Sequence, residues 1–422
     1  SRVLLPVLAT MLTIYVCILS SERYFKYWVQ TTIERTDVHV SEIHFPAITI
    51  CPTHLQLDKL NSTHDKKQRD LSRLNSLYNL VHNIQLNPQM SSDEATASIT
   101  EFNDYYNLTL SEIGNAIFHN YKCEHLFKQC MWRRREIDCC SIFKSFGVGL
   151  YCFIFNSPHA NDADHTWPWS VASSGFNSGL NVKMNRQAGE LKLESVSVIL
   201  QEPSEYLGSS LTYSSDDRIV VPLQPLRFTA EAAVKARPVE MRYCYFTEEL
   251  KLKGRSQSEC IHGCHVKYIA KMCNCHYELP MAIKDNNTTK PKTSRRKCSV
   301  QDLECFSKHK VSYFSMSNII EESSDYIFNT TNCKCYPNCD HIQYHASIYT
   351  DRLGNKNDGL MEVDVYFQEQ TLFSYRSTLQ ITLLDLMVSY GGIAGLILGC
   401  SLVGFINSLF DRIACCAQPS RE

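Results

Sequence analysis

Neither sign of charge dominates this 422-residue chain, which sets 42 Lys+Arg against 44 Asp+Glu for a formal net charge of −2. Nothing in that balance points to nucleic acid as a partner. Cysteine is plentiful, yet no two cysteines have the C-x-x-C spacing that structural zinc sites favour. No nucleophile–base pair or carboxylate arrangement stands out, so an ectoenzyme ranks low and neither cofactor nor metal is expected. The chain opens on Ser1-Arg2 rather than methionine, and its true N-terminus is expected upstream.

Two stretches lack charge altogether. Residues 386–410 read LMVSYGGIAGLILGCSLVGFINSLF, 25 positions without an ionisable acid or base other than Tyr390 and Cys400. As a helix this run reaches roughly 37 Å at ~1.5 Å per residue, enough to cross a bilayer with tilt. Gly391, Gly395 and Gly399 recur every fourth residue on one helical face, with Gly392 and Gly404 nearby. Such a stripe suits close helix packing in lipid. It also suits a pore, in which Gly399-Cys400-Ser401 turns carbonyls and a hydroxyl toward a hydrated ion. Glycine lets the helix break there, which membranes tolerate where the freed groups meet protein or water.

The second uncharged run, residues 3–19, is 17 residues long and at the short limit for a span. No small-residue cleavage site of the usual signal-peptide kind follows it. Tyr24-Phe25-Lys26-Tyr27-Trp28 reads instead as an interfacial belt. Two spans put both termini on one side, and Arg2, Arg412 and Arg421 fit the cytoplasm. Sixteen of the 20 cysteines lie between the spans, as a disulfide framework in an oxidising compartment requires. The sequons at Asn61, Asn107, Asn286, Asn287 and Asn329 agree. The expected organisation is a first transmembrane helix in 1–27, an extracellular cysteine-rich domain in 28–385, a second transmembrane helix in 386–411 and a cytoplasmic tail from 412 to 422.

Within the large loop, His44–Cys51 (HFPAITIC) is predicted to form a buried strand, and Pro46 suits its first residue. GLYCFIFN (149–156), 191–200 and 217–229 read as further strands, and 71–84 as a helical fragment. Arg133, Arg134 and Arg135 are read as a solvated face, with a docking patch as the alternative. His159, Asp162, Asp164 and His165 carry the residue types of a metal or proton site, but solvated loop side chains are the commoner arrangement.

The cysteine spacing from Cys244 onward is more telling. Cys260 and Cys264 lie four apart in a helical segment, and Cys333 and Cys335 two apart in an extended one. Four helical residues rise ~6 Å and two strand residues ~6.6 Å, so both pairs offer sulfurs at matching separation. The geometry suggests Cys264–Cys333 and Cys260–Cys335 as rungs inside Cys244–Cys339, with Cys275–Cys298 and Cys273–Cys305 nested within. The ladder, about 244–339, is expected to be thumb-like.

In this order, a short N-terminal span, FPAITIC, GLYCFIFN, CIHGC, CNC, CKCYPNC and GGIAGLILGCS together resemble the degenerin/epithelial sodium channel (DEG/ENaC) superfamily over essentially the whole chain. CMWRRREIDCCSIF and RYCYFTEELKL are most similar to its insect pickpocket branch. The resemblance implies an α+β membrane protein with a β-rich palm and a helical, disulfide-laddered thumb, assembled as a homo- or heterotrimer in the plasma membrane. It implies a sodium-selective, amiloride-sensitive channel conducting Na+ and gated through its extracellular domain. Gly399 and Ser401 match the first and third positions of the selectivity element, and Cys400 its variable middle. By the same resemblance Cys51 pairs with Cys152, while Cys123, Cys130, Cys139 and Cys140 pair among themselves with partners left open.

The chain departs from the family pattern in three places. The cytoplasmic His-Gly gating motif is absent because the sequence begins too late to include it, and His262-Gly263, lying in the loop, is not that motif. Asn407 stands where a glutamate is usual, leaving Asp411 one turn deeper to supply carboxylates. Val388, in the gate region with Gly391, Gly392 and Gly395, replaces a small residue. A non-conducting or regulatory two-span subunit, acting with related channel subunits or in adhesion, is the alternative reading. ATP-gated channels share the two spans but not the nested ladder. No residue selects the gating stimulus.

Overall fold

The computed structural model describes residues 4–26, 29–57, 72–81, 92–109, 112–113, 116, 122–146, 152–158, 166–188, 191–205, 209–214, 218–253, 256–276, 296–309, 334–351, 359–399, 404 and 406. The chain divides into two compact units. One comprises residues 1–34, 229–244 and 375–422, and the other residues 35–228 and 245–374.

The larger unit holds the greater part of two β-sheets. One sheet takes the strands β1 (Val29–His39), β3 (Phe127–Trp132), β4 (Arg135–Ile137), β7 (Leu180–Asn185), β11 (Arg218–Ala230), β14 (Leu360–Phe367) and β15 (Thr371–Leu379) in the order β1-β15-β11-β14-β7-β3-β4. β12 (His341–Ala346) and β13 (Tyr349–Asp351) pair with β11 off this path. The second sheet runs β10 (Ser209–Ser214), β9 (Leu191–Gln201), β2 (Ala47–Leu57), β6 (Cys152–Phe155), β5 (Lys144–Phe146), with β8 (Gln187–Ala188) on β9. β2 is its central strand, and Ala47 to Cys51 are buried on both faces. A run of β-branched and small apolar residues suits such a position, because neither face meets water. It starts at Ala47, one residue after the proline, as a residue lacking an N–H favours.

Aromatic side chains fill this unit's core. Phe45, wholly buried, makes edge-on contacts with Trp132 at 5.1 Å and Phe367 at 5.2 Å between ring centroids. Phe127 stacks on Phe143 at 4.4 Å. Asn156 ties the surrounding loops: its side-chain amide donates to Phe45 O at 2.6 Å, and its carbonyl accepts from Trp169 N–H. Asn156 is itself fully buried with φ 59°, in the left-handed region that asparagine enters more readily than most residues. Gly179 sits against Phe45, where a Cβ would lie 2.2 Å from Val365 O and 2.7 Å from Phe45 Cζ. Only glycine fits there.

β3 and β4 form a hairpin in which Trp132 pairs with Arg135, leaving Arg133 and Arg134 as a two-residue turn. Both have positive φ, 53° and 63°. Right-handed strand twist favours such turns, but Asn-Gly is their usual sequence, and arginine in this region costs about 1–2 kcal/mol per residue.

Helices cover the remainder of this unit. α2 (72–81) and α3 (Ser92–Thr100) follow β2, and α4 (Gln257–Met272) and α5 (Leu303–Lys308) carry cysteines. α4 begins at a capping box, Ser256 accepting from Glu259 N while the Glu259 carboxylate accepts from Ser256 N at 2.9 Å. α3 packs on α5. The smaller unit contains α1 (Leu4–Lys26) and α6 (Leu383–Leu398), which pack against each other.

Gly179→Ala is expected to destabilise the fold by more than the ~1–3 kcal/mol of ordinary overpacking, because the nearest atom is backbone and cannot swing aside. Gly175→Ala, with φ 86° and nothing within 4 Å of its Cβ, should cost only the left-handed strain of about 1–2 kcal/mol. Thermal unfolding of the two purified variants checks this, and equal losses would contradict the close-approach argument.

Candidate functional site

α6 starts earlier than its charge-free run because Thr382 caps it. The Thr382 hydroxyl accepts from Asp385 N at 3.2 Å, and the Asp385 carboxylate accepts from Thr382 N at 2.9 Å. The helix therefore begins at Leu383 rather than at residue 386. Its described part ends at Leu398, where Gly399 turns into the left-handed region with φ 65° and ψ 16°. Glycine adopts that conformation without a Cβ penalty, as helix C-caps require. A single helix over 386–411 was expected; the break at Gly399 is the local consequence of that glycine. Helical conformation is found again at Gly404 and Ile406.

Two faces of α6 differ. Leu386 is buried, Tyr390 shares a short hydrogen bond with the Ser21 hydroxyl of α1, and Ile393, Ala394 and Ile397 are half-buried. These residues recur every three or four positions and form the face toward α1. Leu384, Val388, Gly391, Gly395 and Gly399 follow the same periodicity on another face and are all exposed, Val388 at 66%. Gly391 and Gly392 have nothing within 4 Å of a built Cβ. The sequence-predicted gate residues thus share one uncovered surface. Cys400, Ser401, Asn407 and Asp411 lie outside the described residues.

Exposed apolar surface is concentrated on this helix pair. Of the 23 large apolar side chains exposed among the described residues, 15 lie on α1 and α6. Even so, among those residues no helix is both long and apolar enough to cross a membrane. α1 has 23 residues but ends with Glu22, Arg23 and Lys26, and the described part of α6 has 16. Arg237 sits near the end of α1, its guanidinium donating to Tyr24 Oη at 2.9 Å and lying 5.0 Å from the ring centre.

In the larger unit, disulfides join Cys51–Cys152, Cys123–Cys140, Cys130–Cys139, Cys260–Cys335, Cys273–Cys305 and Cys275–Cys298. Cys264 Sγ lies 3.9 Å from Cys335 Sγ and is itself disulfide-bonded, as are Cys244 and Cys339. Cys333 lies outside the described residues. Cys17 of α1 is a free thiol. Asn107 is exposed in a turn, while Asn61, Asn286, Asn287 and Asn329, and likewise His159, Asp162, Asp164 and His165, fall outside the described residues.

Two carboxylate clusters escaped the sequence reading. After β9, Glu205 accepts from Ser258 N at 3.0 Å and from the Ser258 hydroxyl, at the start of α4. Burial raises the neighbouring Glu202 carboxyl to about 7, and the charge of Glu205 adds to the rise. Burial likewise holds the Tyr344 phenol well above its ordinary value and lowers His341, whose ring stacks on Phe228. The two acids three apart around Pro203 and Ser204 were the only available signal.

In the second cluster Arg218 lies between Glu362 at 3.2 Å and Asp364 at 3.4 Å. Asn181 donates to Glu362 at 2.6 Å. Burial raises the Asp364 carboxyl to about 6, against hydrogen bonding from Asn177 N–H and the charge of Arg218. No periodicity in β14 marks Asp364 as buried, because its side chain is enclosed by neighbouring strands.

Comparison with known proteins gives a consistent picture. A family model described as Amiloride-sensitive sodium channel matches residues 3–410. Pickpocket protein 19 of Drosophila melanogaster is 23% identical over 432 aligned positions, covering 92% of this chain and 80% of its own. Sodium channel protein Nach of Drosophila ananassae is 23% identical, covering 90% of this chain and 74% of its own. A solved structure, a proton-activated chloride channel determined by cryo-EM, aligns over 98% of this chain and 97% of its own at 9% identity with a TM-score of 0.32.

The raised carboxyls set a pH dependence. A proton held by Glu202 up to about pH 7, but released near 4.5 on unfolding, stabilises the fold fully below pH 4.5. That contribution is lost as pH rises through 7. Asp364 acts in the same sense between about 3.8 and 6. Stability should therefore fall by on the order of a few kcal/mol between pH 4.5 and 7 from these two groups. Glu202→Gln should flatten the upper part of that slope in thermal unfolding, and an unchanged slope would show that Glu202 titrates normally.

Proposed function

The chain belongs to the amiloride-sensitive sodium channel family, whose members are ion channels rather than enzymes, and on that footing we propose that it is a subunit of a trimeric, sodium-selective, amiloride-sensitive channel gated through its extracellular domain. The observation that carries this reading is the uncovered face of α6, Leu384, Val388, Gly391, Gly395 and Gly399, turned away from α1. Three such faces around an axis form an ion path. In that path the chain leaves the helix at Gly399, and backbone oxygens turned toward the axis at Gly399-Cys400-Ser401 would replace part of the water around Na+.

The apolar exterior of α1 and α6 suits lipid contact. Membrane helices over 1–27 and 386–411 then enclose an extracellular domain over 28–385, glycosylated at its sequons, with both termini cytoplasmic in the plasma membrane. The disulfides of the larger unit support that placement, since such bonds persist outside the reducing cytosol. The thumb-like ladder of about 244–339 includes Cys264–Cys333 and Cys244–Cys339.

Asn407 favours a second reading, a regulatory subunit that conducts only beside relatives, because it removes the carboxylate usual at that depth. Sodium current from cells expressing the chain alone, and then with a relative, separates the two. Current from the chain alone that amiloride blocks supports the first, and current appearing only on co-expression supports the second.

Asp411, one turn deeper than Asn407, would supply three carboxylates in a trimer. Asp411→Asn should lower single-channel conductance and Asn407→Glu raise it; unchanged conductance in Asp411→Asn would remove that residue from the ion path. Val388 adds two methyl groups where small residues close the gate. A misfit of ~1.4 kcal/mol shifts the closed–open equilibrium about tenfold. Val388→Ala should therefore reduce unstimulated current at matched surface expression.

A further inference from the structure

The hairpin tip of the larger unit holds Arg133, Arg134 and Arg135 in succession, all exposed. Arg35, Arg73, Arg218, Arg296 and Arg376 each meet a carboxylate. The three tip guanidinium groups meet neither a carboxylate nor an aromatic ring among the described residues. They are also held in place. Trp132, at the base of the turn, is buried against Phe45 and Phe155, and Cys130–Cys139 ties β3 to the segment after β4. The turn itself would form more readily with Asn-Gly, so these arginines do nothing for the fold that a neutral pair would not do better.

We propose that this tip docks a sulfated polysaccharide. Guanidinium is planar, weakly hydrated and always charged, and its paired N–H donors match the oxygens of a sulfate group. Three in a row on a rigid tip present that chemistry to successive groups of a linear polyanion, whose released counterions drive association. An acidic protein partner fits less well, because arginine anchors of protein interfaces work in well-packed, desolvated pockets, whereas these three stand exposed on a tip without apolar surroundings. No exposed large apolar side chain lies between residues 122 and 146. The proposal rests on the extracellular placement of residues 28–385 given above, since sulfated polysaccharides are found outside the cell.

The test uses the full chain in detergent, with heparin as the probe. Substituting Arg133→Asn and Arg134→Gly creates the preferred turn sequence, and Arg135→Gln removes the third charge, so lost binding cannot be ascribed to a weakened hairpin. At 0.15 M salt the triple variant should bind heparin roughly tenfold or more weakly, with a salt slope shallower by about one per lost contact. Equal affinity and slope in variant and wild type would overturn the proposal. So would poly-glutamate competing as well as heparin at equal charge, which would make an acidic protein the partner. Labelled heparin binding to intact cells expressing the wild type is the further expectation. Binding in detergent but not to intact cells would overturn the extracellular placement rather than the chemistry of the tip.

Discussion

The approach of Phe45 to Gly179 is the contact on which the larger unit depends. A ring lies where a Cβ would otherwise be, and the Val365 carbonyl closes the same space from β14. Phe45 then becomes the meeting point of Trp132 from β3, Phe367 from β14 and Phe155 from β6. These strands come from both sheets, so one missing side chain sets how closely their aromatic faces approach. Asn156 holds the backbone on either side of that contact by pairing with Phe45 O and Trp169 N–H. A buried amide with its hydrogen bonds made is worth far more in place than removed, because its partners would otherwise be left without water or protein.

Covalent links secure what this core does not reach. Segments rich in turns bury little apolar surface, and disulfides offset the missing burial by restricting the unfolded chain. Cys260–Cys335 spans 75 residues and Cys51–Cys152 spans 101. Cys130–Cys139 spans only 9 and serves a different end, stiffening a hairpin whose turn residues are unfavourable. Ionisable groups occupy the margins of the same unit. Glu202 and Asp364 are enclosed far enough to raise their carboxyls toward neutrality, while Asp302, paired with Arg296 at 2.6 and 2.7 Å, accepts from Ser299 N–H and caps the turn that leads into α5.

The smaller unit obeys another rule. Its apolar side chains mostly face outward, and within the pair only the narrow seam between α1 and α6 is covered. Such a surface is uneconomical in water, and it accords with the membrane setting of the family. The glycines of α6 lie off that seam, so their smallness is unused within a single chain. They are available to a neighbouring copy or to an ion path, and Gly399 has already left the helix.

Much of this was legible in the residue order. Spacing is a local property: four residues of helix and two of strand give cysteines matching separations, and Cys260 and Cys335 meet as that match suggests. The charge-free runs marked α1 and α6, and the glycine at 399 marked where the helix could end, although Thr382 moved its start. The choice of partner among Cys123, Cys130, Cys139 and Cys140 was not legible, because it depends on the turn at Arg133-Arg134 bringing Cys139 back beside Cys130. Nor were the need for glycine at 179 or the raised carboxyls of Glu202 and Asp364. Steric fit and desolvation arise from atoms brought close by strands distant in sequence, so only the tertiary structure decides them.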